Sequence, residues 1–358
     1  MIWGAGAIGG SVGAWLARAG HDVTLVDTSA AHVAAANDPG IEIRHDREGF
    51  AARVPACLPQ DLDGCWEIVL LAVKAQHTAG ALAALAPHLA KDGWVVSLQN
   101  GVMAPALNAA LGPGRALVSL VGFSADLLGP GVIRFGHRAP LILGEPDGSL
   151  SHRLARTLCL MRDFEPEARA SARIADAIWG KMAFVGILYV SALGTSPMVD
   201  LLEDSRLQPV WRAAVGEMIQ VGESLGAAPD GFDGIDVAAF LPGAPPVATA
   251  ASLARVVEHI RHSPKTHSGI WRDIAVHQRR TEADYQLAPA IAAAAAGGFE
   301  VPVLRLTAEL IGQLEARILD QSDALLFQLL PAAARSPVNA GSSADLTDPQ
   351  ACQPKEFH

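Results

Sequence analysis

Aromatic residues are scarce in this chain, at 5% of 358 residues, and only two of them are tyrosines. Charged residues are also few, at 18%, and acids outnumber bases to give a formal net charge of −10. That balance argues against nucleic acid or an anionic membrane surface as a partner, because either would need a basic patch. The cysteines are Cys57, Cys65, Cys159 and Cys352. None stands in a CxxC pair, which speaks against a zinc knuckle or a thioredoxin-type dithiol. So few, so scattered, suit a reducing cytosol. A cytoplasmic protein with no metal site is expected. His259 and His262, with His267 nearby, read as a solvated helix end. The first residues lack a basic n-region, so no signal peptide is expected. No uninterrupted apolar run reaches the ~18–20 residues of a membrane span. The richest stretch, Met182 to Leu193, is shorter and carries Tyr189 and Ser191. What the chain does have is apolar bulk, half of its residues, and length for two domains of ~100–200 residues each.

The first glycines carry the most specific local pattern. Met1 to Trp3 run into Gly4-Ala5-Gly6-Ala7-Ile8-Gly9-Gly10, a GxGxxG with one further glycine. Ser11 to Ala19 has helical spacing, with Val12, Leu16 and Ala19 on one face, and Gly20 closes it. Val23 to Val26 reads as a second strand, and Asp27 ends it 18 residues after Gly9. Together these make a βαβ unit of the dinucleotide-binding kind. Gly4 permits a tight turn, Gly6 lets backbone approach a pyrophosphate, and Gly9 lets helix pack close to strand. With Ala7 and Ile8 they form the expected cofactor loop at a helix N-terminus, where N–H groups and the dipole favour phosphate. Asp27 is suited to accept hydrogen bonds from the adenosine ribose hydroxyls and to repel a 2′-phosphate. No arginine follows in Thr28 to His32, so NAD is favoured, with NADP as the alternative. Three residues precede Gly4, fewer than the ~5–6 of an ordinary strand.

An α/β rhythm continues. Glu67 to Val73 is a nearly continuous apolar run, suited to a parallel strand buried on both faces, and Lys74 closes it. Thr78 to Leu89 is helical in pattern, and Trp94 to Leu98 is a strand running into Gln99-Asn100-Gly101. Ala116 to Phe123, Gly131 to Phe135 and Leu141 to Gly144 read as strands, and Ser151 to Arg162 as a helix. From about Arg173 only helices are expected: Ile174 to Leu193, Glu203 to Leu225, Val247 to Arg261, Ile270 to Leu287 and Leu304 to Leu330. The fold class is therefore α/β, a Rossmann-type doubly wound parallel sheet over 1–170 followed by an all-helical domain over 171–330. Pro331 to His358 has no apolar period and reads as a disordered tail. Apolar faces on Leu304 to Leu330 suggest a homodimer.

Taken in order, GxGxxG, a strand ending in Val73-Lys74, Gln99-Asn100-Gly101, a lone Lys181 in a buried helix and a late Thr281-Glu282-Ala283-Asp284 resemble the ketopantoate reductase family, over residues 1 to about 330. The resemblance implies roles one residue at a time. Lys74 matches a lysine near the nicotinamide end of the cofactor, and Asn100 an asparagine that bonds cofactor or substrate. Lys181, in Trp179-Gly180-Lys181, matches the general acid that protonates the carbonyl oxygen as hydride arrives. Glu282 matches the active-site glutamate. Physics points the same way: a lysine beside an apolar helix is desolvated, which lowers its pKa and suits it to trade a proton near neutrality. A structural alternative has Lys181 snorkelling at a helix start and Glu282 pairing with Arg279 or Arg280.

This chain also departs from the family. Asparagines are usual four and eight residues after the catalytic lysine, on its helix face. Here Val185 and Tyr189 stand there, and Val185 cannot hydrogen-bond a substrate. A Ser-Met before the late helix is replaced by Thr266-His267-Ser268-Gly269-Ile270-Trp271-Arg272-Asp273, in which Ser268 or His267 is a candidate substrate anchor and Arg272 a partner for a substrate carboxylate. His77 stands where Gln or Asp is usual. The expected activity is an NAD(P)-dependent dehydrogenase or reductase interconverting a hydroxy acid, or related alcohol, with its oxo form. The small anionic acid is the partner. Three alternatives are 2-dehydropantoate reduction with NADPH, an opine- or imine-type dehydrogenase, and an NAD(H)-binding sensor without catalysis.

Overall fold

The computed structural model describes residues 1–262 and 265–339. Contacts divide the chain into two units, Met1–Trp179 with Asp284–Gln286, and Gly180–Ala283 with the residues from Leu287 onward. The division falls inside a helix rather than at residue 170.

In the first unit the strands are β1 (Ile2–Trp3), β2 (Leu25–Val26), β3 (Ile41–Arg44), β4 (Phe50–Ala52), β5 (Ala56–Cys57), β6 (Trp66–Leu71), β7 (Leu89–Ser97), β8 (Ala116–Val121), β9 (Ala125–Gly129), β10 (Val132–Phe135), β11 (Leu141–Gly144) and β12 (Arg169–Ala170). Between them run α1 (Ala7–Arg18), α2 (Ala30–Asn37), α3 (Thr78–Leu85), α4 (Ala104–Leu111) and α5 (His152–Met161). The main sheet has the order β12-β11-β8-β7-β6-β1-β2-β5. It is parallel from β5 to β8, and β11 runs antiparallel to β8. Strand order reverses on either side of β1, the point at which open α/β sheets bind ligands beyond their carboxyl ends. Register makes that edge level. Trp3 pairs with Val26 and with Leu71, and Leu71 pairs with Ser97. The residues that follow these four strands therefore leave the sheet in one row. They are Gly4, Asp27, Ala72 and Leu98.

β1 is two residues long, as the few residues before Gly4 suggest, yet it is central. Its neighbours on both sides hold it, with Gly4 N–H donating to the Val26 carbonyl and Ala72 N–H to the Trp3 carbonyl, each at 2.8 Å. A second sheet of four strands, in the order β4-β3-β10-β9, was not expected. It contributes Phe50 and Phe135 to an aromatic cluster. Trp15 of α1 lies 4.8 Å from Phe50, 4.7 Å from Phe135 and 5.7 Å from Phe164, centroid to centroid. These rings belong to one buried core with Val12 and Leu16. Burial of each such side chain stabilises the fold by ~1.5–3 kcal/mol.

The second unit, among described residues, contains helices and no strand. Ile174–Ser191 (α6) runs across the division. By length and composition this helix could cross a membrane, yet 83% of it is buried within the protein, as in a core helix. It is followed by α7 (Met198–Glu203), α8 (Gln208–Ser224), α9 (Pro246–Arg261), α10 (Gly269–Ala275), α11 (Ala283–Ala296), α12 (Pro302–Glu315), α13 (Asp323–Gln328) and α14 (Leu330–Arg335). Three expected long helices are broken. Asp204 interrupts Glu203 to Leu225, its carboxylate accepting from Arg206 N–H at 3.0 Å. Gln278, at φ 49°, interrupts Ile270 to Leu287, and Arg317, at φ 57°, interrupts Leu304 to Leu330. A helix cannot continue through the left-handed region. The apolar stripe of α12, offered above as a dimer face, is buried inside the chain by packing on α8 and α14.

The expected tail begins too early. Residues to Asn339 are ordered, with Ala332, Ala333 and Val338 buried; the rest of that stretch, Cys352 included, lies outside the described residues. Glu217 of α8 is fully buried and serves α12, accepting from Val303 N–H at 3.2 Å and Leu304 N–H at 2.9 Å. It fills the role that capping side chains play at helix N-termini. Desolvation still pushes its pKa from 4.5 up to about 7, against the pull of those bonds and of the Ser336 hydroxyl.

Candidate active site

The glycine loop takes the form the sequence implies. Gly4 has φ 95°, a left-handed backbone that suits glycine, and a Cβ on Gly9 would meet the Gly4 carbonyl oxygen at 2.0 Å. Helix α1 can therefore start directly against the end of β1. Gly6, Ala7 and Ile8 are partly exposed where α1 begins, and nothing lies within 4 Å of a Cβ built on Gly6. A helix N-terminus with an open glycine before it fits a phosphate group.

Asp27 lies at the end of β2. Its Oδ2 accepts from Ala5 N–H at 3.0 Å and its Oδ1 from Ser29 N–H at 2.9 Å. A carboxylate has about four lone-pair positions, so two such bonds orient it and leave acceptor capacity for a ribose. Lys74 and Asn100 follow β6 and β7. A residue the sequence reading did not single out organises both segments. Gln99 is 5% exposed, donates to the Val73 carbonyl at 3.0 Å and to the Thr78 hydroxyl at 2.7 Å, and accepts from Ser97 Oγ at 3.1 Å. It ties the backbone before Lys74 to the backbone before Asn100. Lys74 is partly buried, while Asn100 is exposed.

In the second unit Lys181 sits on α6, one residue after Gly180. A Cβ on Gly180 would meet the Asp230 carbonyl oxygen at 2.1 Å, so the absence of a side chain there lets the loop after Asp230 pack on the helix. That loop carries Asp233, whose φ of 46° is uncommon outside glycine. Lys181 is partly buried. Desolvation brings its pKa from 10.5 down to about 8, and the carboxylates of Asp233 and Glu282 oppose that fall. Two acids thus act on the lysine's charge, of which sequence reasoning named only Glu282. The Asp233-Gly234 pair is a turn signal, but nothing in it points to Lys181. Asp233 also lies 3.4 Å from His259 Nε2, so this histidine serves an acid near the lysine.

Glu282 precedes α11 and is partly buried. The arginines weighed as its partners also reach other acids. Arg279 bonds Asp273 at 2.7 Å, and Arg280 lies 3.6 Å from Glu315. Val185 and Tyr189 are buried one and two turns along α6 from Lys181, at 5% and 0% exposure. The Ser268 hydroxyl is occupied as the N-cap of α10, accepting from Trp271 N–H at 3.0 Å and donating to the Leu188 carbonyl at 3.4 Å. His267 stacks on Trp271, with centroids 4.0 Å apart, and Arg272 is partly buried on α10. Among described residues no cluster of three metal-binding side chains occurs.

Comparison with known proteins covers most of the chain. Residues 1–148 match the family model described as Ketopantoate reductase PanE/ApbA, and residues 173–315 match that of its C terminal. A 2-dehydropantoate 2-reductase from Mesorhizobium japonicum is 31% identical over 254 residues, covering 63% of this chain and 76% of that protein. Among solved structures, a PanE/ApbA family ketopantoate reductase from Ralstonia eutropha JMP134 aligns with TM-score 0.74 at 25% identity, over 88% of this chain and 99% of that one. D-mandelate dehydrogenase, solved with NADH and anilino(oxo)acetate, shares the fold at TM-score 0.73 and 20% identity, over 89% and 99% of the two chains. With matches to both family models and a relative covered over three quarters of its length, the chain belongs to the ketopantoate reductase family of oxidoreductases.

Proposed function

We propose that this chain is an NAD-linked oxidoreductase that interconverts a small hydroxy acid and its oxo form, with Lys181 as the general acid and base. The observation that carries this reading is the lysine itself, desolvated and set near Asp233 and Glu282. With a pKa of about 8, about a tenth of the lysine is neutral at pH 7 and both protonation states are accessible. In reduction its ammonium donates a proton to the carbonyl oxygen as that oxygen gains charge. In oxidation its neutral amine takes the hydroxyl proton. A nicotinamide dinucleotide supplies or accepts the hydride. Gly4, Gly6, Ala7, Ile8 and Gly9 would hold its pyrophosphate, Asp27 its adenosine ribose, and Lys74 and Asn100 its nicotinamide end. The NADH in the D-mandelate dehydrogenase structure is in keeping with this preference, as is the negative charge of Asp27.

Reduction of 2-dehydropantoate is the second reading, favoured by the names of the curated relatives. Against it stand Val185 and Tyr189, where family members acting on ketopantoate carry asparagines. Steady-state assays with NADH and NADPH, against 2-dehydropantoate and a panel of oxo and hydroxy acids, decide between them. A kcat/KM for 2-dehydropantoate at or above ~10⁴ M⁻¹s⁻¹, higher than for any other acid tested, would overturn the first reading.

A further inference from the structure

We propose that His32 is a positioning residue for the glycine loop, tying it to the turn between β9 and β10 and so raising the affinity for the dinucleotide. His32 belongs to α2 and is 2% exposed. Its Nδ1 faces the N–H of Gly131, in the turn between β9 and β10, at 3.0 Å, and its Nε2 faces the carbonyl oxygen of Ala5 at 2.7 Å. A backbone amide can only donate and a carbonyl can only accept. The two contacts therefore dictate the tautomer: Nδ1 accepts from Gly131, and Nε2–H donates to Ala5.

The consequence lies in the loop. Ala5 stands between Gly4 and Gly6, and Asp27 holds its N–H at 3.0 Å. With His32 holding its C=O, both backbone polar groups of Ala5 are fixed by side chains from outside the loop. The peptide planes on either side of Ala5 are set, and so is the direction in which Gly6 and the first N–H groups of α1 point. A glycine-rich segment loses much conformational entropy when a ligand orders it. A loop ordered beforehand spares that cost at binding. The other end of the link is firm as well, because the Gly131 carbonyl accepts from Glu42 N–H of β3 at 2.7 Å.

The inference rests on the reading of this loop as the dinucleotide site, and the test keeps the two apart. NADH binding is titrated by its fluorescence in wild type, His32→Asn and Ile43→Val. Asparagine retains an acceptor close to the place of Nδ1 but cannot reach Ala5. Ile43→Val trims the core of the small sheet, in which Ile43 is 1% exposed, without touching the loop. The loss of one buried hydrogen bond predicts a dissociation constant raised about 5- to 30-fold in His32→Asn. The KM for the oxo acid and kcat at saturating NADH should stay within about 2-fold, and Ile43→Val should bind as wild type does. An unchanged dissociation constant in folded His32→Asn would overturn the proposal, as would an equal loss in Ile43→Val. If His32→Asn does not fold, the ¹⁵N resonances of the wild-type ring decide. A neutral Nε2–H tautomer whose signals shift on adding NADH supports the proposal, and the opposite tautomer or no shift refutes it. A wild type that binds neither NADH nor NADPH strikes the cofactor reading instead.

Discussion

Replacing Lys181 by methionine should separate stability from activity. Methionine keeps most of the side chain's length and bulk and removes its charge. The lysine pKa falls from 10.5 to about 8 because desolvation outweighs the attraction of Asp233 and Glu282. At ~1.4 kcal/mol per tenfold change in proton affinity, a fall from 10.5 to about 8 means that holding the ammonium costs the fold about 3 kcal/mol. Between those two values the unfolded chain binds more protons than the folded one, so stability rises with pH across that window and the penalty is complete below it. Partial exposure of Lys181 and the loss of a cation near two acids reduce the gain, and about 1–2 kcal/mol of stabilisation is expected at pH 7.

Urea unfolding at pH 7 and pH 9.5 measures it. The methionine variant should have the higher midpoint at pH 7, and its margin should shrink at pH 9.5, where much of the wild-type lysine is already neutral. In the same variant kcat should fall about 10²- to 10⁴-fold while NADH binding stays close to wild type. A variant less stable than wild type at pH 7, or a margin that does not change with pH, would refute the desolvated lysine and with it the acid-base role.

Four further outcomes follow from the same structure. The rate of reduction, which needs the ammonium, should fall as pH rises through about 8, and the rate of oxidation should rise. Asp233→Asn removes a charge that supports the ammonium, so both limbs should move to lower pH in pH–rate profiles. Asp27→Ala should weaken NADH binding about 10-fold or more and NADPH binding less, since the variant loses ribose acceptors and 2′-phosphate repulsion together; paired fluorescence titrations measure this, and a larger loss for NADPH would reverse the cofactor assignment. Glu217 binds protons more readily folded than unfolded between 4.5 and about 7, so its burial lowers stability as pH rises through that range. Glu217→Gln should flatten that decline in thermal melts between pH 5 and pH 7.5.

Legibility in the sequence followed the range of the forces involved. The glycine loop, the run Glu67 to Val73 and the buried helix beginning at Ile174 are dictated by residues adjacent in the chain. They fold where local pattern puts them. The four-stranded sheet was missed as a unit because its strands come from two stretches far apart, β3 with β4 and β9 with β10; Ile41 to Arg44 does alternate, but nothing local pairs it with β10. Helix ends failed for a similar reason. Gln278 and Arg317 are ordinary helix formers by propensity, yet both take left-handed backbone, Arg317 at the end of α12 where Ile318 N–H donates back to the Gln313 carbonyl at 2.9 Å. In the candidate site, resemblance singled out Lys181 and Glu282, whereas the contacts of Asp233, Gln99 and His32 were not read. Each of these three acts through a partner more than 20 residues away in the chain, and no spacing rule reaches that far.

That distinction bears on substrate choice. The Ralstonia ketopantoate reductase and D-mandelate dehydrogenase share this fold at nearly equal TM-scores, 0.74 and 0.73. A scaffold common to both is silent on which acid is turned over. With Lys181 as the proposed proton donor, side chains one and two turns along α6 are the candidates for discrimination, and those are Val185 and Tyr189. A valine offers dispersion and no hydrogen bond, so a substrate hydroxyl buried against it loses its water partner for nothing, at a cost of ~1–3 kcal/mol. That is a factor of about 5 to 150 in kcat/KM against a hydroxylated oxo acid and in favour of one with an apolar group at the same place. Membership of the family makes the chain an oxidoreductase, and the function proposed above assigns the proton transfer to Lys181. On that proposal, Val185 and Tyr189, where this chain departs from the pattern the resemblance implies, are the positions to exchange in testing its choice of substrate.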